Sequence, residues 1–160
     1  MTTQRCRPAG DADERAMLAG WLDWQRATVR VKCAGLSDAD AYRSLLPSPL
    51  TTVAGLVSHL RSVEYGWFEW SFLGGPESGL DDWKVSGVPL TQLLDDYDAQ
   101  CARSRAIAAA HDLDELEAWA PPGLELVSLR WIVCHLIEET ARHLGHLDAI
   151  RELIDGTRGS

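Results

Sequence analysis

Hydrophobic positions along the chain recur at the spacing of amphipathic helices. Apolar side chains three and four residues apart, the pattern of one helix face, fill four segments of the sequence, at 13–32, 52–73, 89–110 and 129–154. Each segment also carries polar residues on its other face, as expected for helices that bury one side. The pattern therefore predicts four long helices.

Residues that typically cap helices stand at the borders of these segments. Thr51 or Thr52 and Ser128 can accept hydrogen bonds from backbone N–H groups at a helix start. Gly35 and Gly156 suit the left-handed conformation that ends many helices. These signals place the helix borders within a few residues.

Two connections between the predicted helices are long. Residues 74–88 are rich in glycine, proline and aspartate, and residues 112–127 hold acidic residues and a Pro-Pro-Gly turn. A short strand-like piece is predicted at 124–127, and Ser37 predicts a short helical turn. Four long helices without a convincing sheet indicate an all-α four-helix bundle with long loops between helices 2 and 3 and between helices 3 and 4.

The length of the chain suits one domain. Its 160 residues can bury a hydrophobic core of their own, so a single domain is predicted over 1–160. Residues 1–11 are polar, with a proline and a glycine, and are predicted to be a loose lead-in.

Composition excludes several classes of partner and site. The net charge of −9 makes nucleic acid and anionic membranes unfavourable partners. The four cysteines form no Cys-x-x-Cys pattern, which argues against a cysteine-based zinc site and against a disulfide scaffold. We expect reduced thiols in a cytoplasmic protein, because the sequence also shows no signal-like apolar region and no membrane-spanning run.

The last predicted helix carries the candidate chemistry. Glu139 and His143 lie one turn apart within or beside its apolar face, where a carboxylate without a partner would be costly. His59 lies at the edge of the apolar face of the second helix. A hydrogen-bonded cluster would satisfy these groups, and so would a divalent metal with an open coordination position. His135 and His146 lie just outside the apolar face, and His135 is a rival ligand.

Other polar and aromatic residues are predicted to be structural. Glu64 and Glu69 are expected to be solvated, and His111 is expected to stabilise the end of the third helix. Trp83 is expected to anchor its loop in the core. Cys134 lies on the far side of the last helix from Glu139, which makes it a poor candidate for a nucleophile acting at that site.

Several motifs resemble the DinB superfamily of four-helix-bundle metalloproteins. The sequence His143-Leu-Gly-His-Leu147 is similar to the family's His-x-Gly-x-Leu tail, Glu139 precedes it by four residues, and His59 stands in a Val-Ser-His-Leu motif. Many relatives carry histidine where this chain has Glu139. The His/Glu/His version, together with Trp21-Leu-Asp-Trp24 and the Glu-Glu-Thr-Ala-Arg-His run, resembles a small actinobacterial subgroup near mycothiol-dependent maleylpyruvate isomerase and mycothiol S-transferases.

The resemblance implies a metal site and a reaction. His59, Glu139 and His143 would hold a divalent metal, zinc by default, although nickel, iron or manganese also suit these ligands. Mycothiol would be the co-substrate, held as a metal-bound thiolate that attacks an electrophilic small molecule. The product would be a thioether or an isomerised substrate. His146 and His135 would orient a ligand or move a proton, and a homodimer is expected.

Three alternatives stay open at this point. In the first, the bundle is a non-catalytic protein that binds a metal or a small ligand. In the second, it is a hydrolase that uses a metal-bound water. In the third, the triad of His59, Glu139 and His143 is a hydrogen-bonded cluster without metal. Trp67, Trp70 and Trp131 are candidates for a pocket wall, although core packing alone also explains them.

Overall fold

All the regular elements in the described part of the chain are helices. A computed structural model describes residues 5–79 and 82–158, in which five α-helices form: α1 (Glu14–Cys33), α2 (Asp38–Ala41), α3 (Val53–Tyr65), α4 (Leu90–Ala110) and α5 (Leu129–Asp155). This confirms the predicted all-α class and the four long helices. Residues 5–11 of the predicted lead-in precede α1 without helix, and its residues 1–4 lie outside the described part.

The capping signals account for the helix borders. The side chain of Thr52 accepts a hydrogen bond from the backbone N–H of Gly55 at 3.0 Å, and Ser128 accepts one from Trp131 at 3.3 Å. Gly156 ends α5 with φ +76°, a value that other residues rarely adopt. Ser37 caps the four-residue helix α2. The structure confirms these predictions of helix borders. They could be made from the sequence because a cap depends only on residues close to one another in the chain.

The predicted second helix, 52–73, differs in its last part. After α3 the chain continues as a π-helix over Gly66–Phe72. This wider helix is rare in proteins, and where it occurs it is often found at a functional site. The carbonyl of Ser71 accepts hydrogen bonds from the backbone N–H groups of Ala118 and Trp119, both at 3.1 Å. The apolar spacing of three and four residues fits both kinds of helix, so the sequence pattern does not distinguish them.

The connection between α4 and α5 contains no strand. The strand-like piece predicted at 124–127 is wrong, because within the described residues the only bridge pairs Leu116 with Ser128. The backbone N–H of Glu117 instead donates to the carbonyl of Val127 at 3.0 Å. These bonds tie the connection to the start of α5.

The four long helices pack as a helical bundle. Helix α1 lies along α5, α3 lies along α4, and further contacts join α3 to α5 and α1 to α4. The core forms two apolar clusters. One centres on α3 and α4 and includes Val29, Leu56, Leu60, Tyr97, Leu147 and Ile150. The other lies towards the π-helix and includes Leu22, Phe68, Phe72, Leu129, Ile132 and Leu136.

None of the helices in the described part of the chain has both the length and the apolarity that crossing a membrane requires.

A buried ion pair joins α1 to α3. The predicted solvation of Glu64 is wrong, because this residue is only 2% exposed and its two carboxylate oxygens each accept a hydrogen bond from Arg26 at 2.7 Å. Burial of a carboxylate requires such a partner, and the partner belongs to another helix. Glu69 is partly buried and accepts hydrogen bonds from Gln100 and Arg103.

We predict that Glu64→Ala lowers the free energy of unfolding by about 3 kcal/mol. The variant leaves the Arg26 guanidinium buried without its main partner. Because Asp23 still pairs with Arg26, the expected loss of stability lies at the lower end of the range for a broken buried ion pair. Urea unfolding followed by tryptophan fluorescence measures the change. The control is Glu152→Ala, which removes a surface pair with Arg158 and should change stability by less than about 0.5 kcal/mol. Equal losses in both variants would contradict the prediction.

Candidate metal site

Three potential ligand atoms meet between α3 and α5. The Nε2 atom of His59 lies 3.1 Å from Oε1 of Glu139, and Nε2 of His143 lies 3.0 Å from the same oxygen. The ligand atoms of the three side chains all lie within 4.8 Å of one another. The structure thus brings together the three residues singled out by the sequence.

Helix geometry explains this convergence. Glu139 and His143 are four residues apart on α5 and therefore share one face of the helix. His59 reaches them from α3, which packs against α5. The histidines are 8% and 7% exposed, so the cluster is largely shielded from water while one side of it stays accessible through Glu139.

A loop before α4 completes the surroundings of His59. Both carboxylate oxygens of Asp82 lie 3.0 Å from Nδ1 of His59, and the ring of Trp83 stacks on the imidazole at a centroid distance of 4.1 Å. Trp83 also packs against the core cluster of α3 and α4, so its predicted role as an anchor is confirmed. Asp82 was not singled out by the sequence, because its loop has no periodic pattern.

The hydrogen bonds of His59 test whether the cluster suits a metal. A neutral imidazole has one N–H group and therefore donates to one partner only. When Nδ1–H donates to Asp82, the lone pair of Nε2 points at the oxygen of Glu139. A positive charge is then needed at the centre, either a second proton or a metal ion. A histidine with a carboxylate behind it is the usual arrangement of a metal ligand.

The electrostatic environment favours the ligand forms of the other two residues. Burial alone would raise the pKa of Glu139, but its two imidazole neighbours, His59 and His143, outweigh it and hold the pKa below its ordinary value. Burial, together with the neighbouring imidazole of His59, lowers the pKa of His143. A carboxylate and a neutral imidazole are the states that bind a metal.

The other histidines lie outside the triad. Nδ1 of His146 lies 3.3 Å from Nδ1 of His143, and the His146 side chain is exposed. His135 is not among the converging ligand atoms and stacks instead on Trp131 at 5.1 Å. His111 follows α4 and pairs with Glu115, which agrees with a structural role.

The cysteines offer no nucleophile at this cluster. Cys33 and Cys101 are buried, and burial raises the pKa of Cys33 to about 12. Burial also raises the pKa of Cys101. A thiol with a raised pKa stays protonated at neutral pH and is a weak nucleophile. Cys134 is exposed and contributes no atom to the triad.

A cavity lies along the same two helices, and none of its lining residues belongs to the triad. It has a volume of about 670 Å³, and its walls include Trp67, Trp70 and Trp131, so these three candidates for a pocket wall do line a pocket. Val63, another wall residue, lies one turn from His59 on α3. A fourth tryptophan, Trp119, also lines the cavity and was not predicted to do so.

Comparison with models of known protein families gives a match over most of the chain. The family model described as mycothiol-S-transferase matches residues 17–156, a range that contains α2 to α5, nearly all of α1 and the whole triad. No curated protein matches the chain.

Proposed function

The chain belongs to the mycothiol-S-transferase family, and on that premise we propose that it joins mycothiol, through its sulfur, to an electrophilic small molecule with the help of a divalent metal. The observation that supports this most is the convergence of His59, Glu139 and His143 within 4.8 Å. Three protein ligands with an accessible side are typical of catalytic rather than structural metal sites.

The proposed reaction balances as a substitution. The thiol sulfur forms a bond to the electrophilic carbon, the bond to the leaving group breaks, and the leaving group departs with its electron pair. The proton of the thiol passes to water. A divalent metal, when bound, supplies a Lewis acid that lowers the pKa of a coordinated thiol. Isomerisation of a substrate by addition and elimination of the thiol is the proposed variant of this chemistry.

The side chains of this chain orient and shield the centre. Asp82 fixes the tautomer of His59 by accepting from Nδ1–H, so that Nε2 faces Glu139. Trp83 covers the His59 ring and keeps water from that side. Nη1 of Arg142 lies 3.5 Å from Oε2 of Glu139, where its positive charge favours the ionised carboxylate.

His146 is the proposed proton carrier. It is exposed and contacts the back of the His143 ring, so it can exchange protons with solvent close to the reacting sulfur. The proposed role of His135 is to orient the ligand, because its ring lies against Trp67 and Trp131 of the cavity wall and its position on α5 is one turn from Glu139.

Several finer features of the proposal rest on the family resemblance. They are the DinB-like arrangement of the four long helices, zinc as the metal, a homodimer and a cytoplasmic location. Zinc agrees with a donor set of two imidazoles and one carboxylate. Each of these stays a prediction.

We predict that protein purified without a metal-affinity tag carries about one equivalent of metal, since the triad offers one site. Glu139→Gln should lose it, because an amide is a weak ligand of similar shape. Elemental analysis gives the content, and circular dichroism checks the fold. Glu138→Gln is the matched control, since Glu138 is the adjacent carboxylate on α5 and pairs with Arg142 at the surface. Metal-free wild-type protein, or equal content in both variants, would refute the site.

Asp82→Ala should weaken metal binding about 10–100-fold, the usual effect of removing a carboxylate behind a ligating histidine. The reason is that His59 then loses the acceptor that fixes its tautomer. Competition with a chromogenic chelator measures the affinity. Asp11→Ala, which removes an exposed carboxylate ahead of α1, is the control. Unchanged affinity in Asp82→Ala would mean that Asp82 does not position His59.

Turnover tests the function itself. With mycothiol and 1-chloro-2,4-dinitrobenzene, the wild type should form the thioether. Glu139→Gln should lower kcat/KM by at least about 100-fold, because replacing a residue that only supports a metal ligand already costs up to about 100-fold. Absorbance of the thioether follows the reaction, and Glu138→Gln again serves as the control. Stoichiometric metal without turnover for any pair of thiol and electrophile would instead indicate a non-catalytic binding protein.

A further inference from the structure

The cavity along α3 and α5 has walls made largely of indole rings. Four of the seven tryptophans of the chain line it, in two groups. Trp70 and Trp119 stack on each other with ring centroids 4.4 Å apart, and Trp67 packs against Trp131 at 5.3 Å. Flat aromatic walls favour flat ligands, because stacking adds to the burial of apolar surface.

The π-helix and the connection between α4 and α5 hold these walls in place. The carbonyl of Ser71 accepts the backbone N–H groups of Ala118 and Trp119, which fixes the indole of Trp119 beside Trp70. The Ser71 hydroxyl donates to the buried carboxylate of Glu117, and this carboxylate also accepts from the N–H of Val127 at 3.0 Å. The cavity is therefore formed before any ligand arrives.

Large apolar side chains around the cavity remain in contact with water. Trp131 is 45% exposed and Leu124 is 68% exposed. A ligand that covered them would gain apolar burial, about 25 cal/mol for each Å² removed from water. The exposed side chains and the preformed volume of about 670 Å³ together fit the size and character of a small-molecule site.

The charges of the lining select against anionic ligands. Its residues, all within the described part of the chain, include Glu117 and Glu125 but no lysine, arginine or histidine, so an anion would be repelled and would find no cationic partner. Both oxygens of Glu117 already accept hydrogen bonds. A heavily hydroxylated molecule would leave most of its hydroxyls unpaired between the indole rings.

We propose that this cavity binds a planar aromatic molecule that carries no negative charge, and that this molecule is the electrophile of the reaction. The second half of this inference rests on the proposed function. Trp131 precedes Glu139 by eight residues on α5, which places the cavity wall about 12 Å along the helix from the triad. His135 lies between them, in contact with Trp131. An aromatic ligand held against Trp67 and Trp131 would therefore lie on the side of His135, and its reactive carbon could face the triad.

Binding of an unreactive probe tests the cavity without thiol and without turnover. Isothermal titration calorimetry compares 1,3-dinitrobenzene with 3,5-dinitrobenzoate, which adds a negative charge to the same ring. We expect the uncharged ring to bind at least about tenfold more tightly than the anion, a difference of about 1.4 kcal/mol. Equal or tighter binding of the anion, or no binding of the uncharged ring, would overturn the proposal.

Matched tryptophan variants locate the binding site. Trp131→Ala should weaken binding of 1,3-dinitrobenzene by about five- to tenfold, because it removes one aromatic wall. Trp21→Ala is the control, since Trp21 is 37% exposed but lies on α1 away from the cavity. Leu124→Ser, at the exposed rim, should weaken binding without a risk to the fold. Wild-type affinity in both Trp131→Ala and Leu124→Ser would overturn the assignment.

Two further measurements separate the cavity from the proposed function. Glu139→Gln should bind 1,3-dinitrobenzene with wild-type affinity even though it lacks the carboxylate of the triad. If probe binding follows the expected pattern but no thiol transfer occurs, the cavity assignment stands and the transferase proposal fails. If transfer occurs, Trp131→Ala should raise KM for 1-chloro-2,4-dinitrobenzene and leave KM for the small, non-aromatic iodoacetamide unchanged. Equal KM changes for both electrophiles would overturn the role of the cavity.

Discussion

Two imidazoles that face one carboxylate oxygen define the centre of this protein. Nε2 of His59 and Nε2 of His143 lie 3.1 and 3.0 Å from Oε1 of Glu139, in a place where water is largely excluded. Such a cluster is costly unless a proton or a cation balances the facing lone pairs. The rest of the local structure maintains this balance, because Asp82 holds the far side of His59 and Trp83 covers its face.

The sequence predicted the parts of this arrangement that depend on one helix at a time. Helix borders followed from Thr52, Ser128 and Gly156, whose effects are local. Glu139 and His143 could be paired because a separation of four residues places them on one face of α5. The assignment of His59 as a metal ligand needed the family resemblance, since an isolated histidine at the edge of a helix face is more often a hydrogen-bonded core residue than a metal ligand.

Features that depend on contacts between distant segments could not be predicted. The burial of Glu64 depends on Arg26 of α1, whose guanidinium supplies both hydrogen bonds, and nothing in α3 itself signals that partner. Asp82 belongs to a loop whose path is set by the packing of Trp83 against the core. The π-helix is stabilised in part by bonds from Ala118 and Trp119, more than forty residues further along the chain.

The cavity and the triad share α3 and α5 but are built from different parts of the chain. The triad depends on regular helix positions, whose geometry tolerates little change. Two walls of the cavity come from the π-helix and from the connection between α4 and α5, which carries Trp119 and Leu124. Connections vary more easily than helices in sequence and length. If the cavity binds the electrophile as proposed, the choice of electrophile can therefore change through that connection while the triad stays in place, since no residue of the connection belongs to the triad.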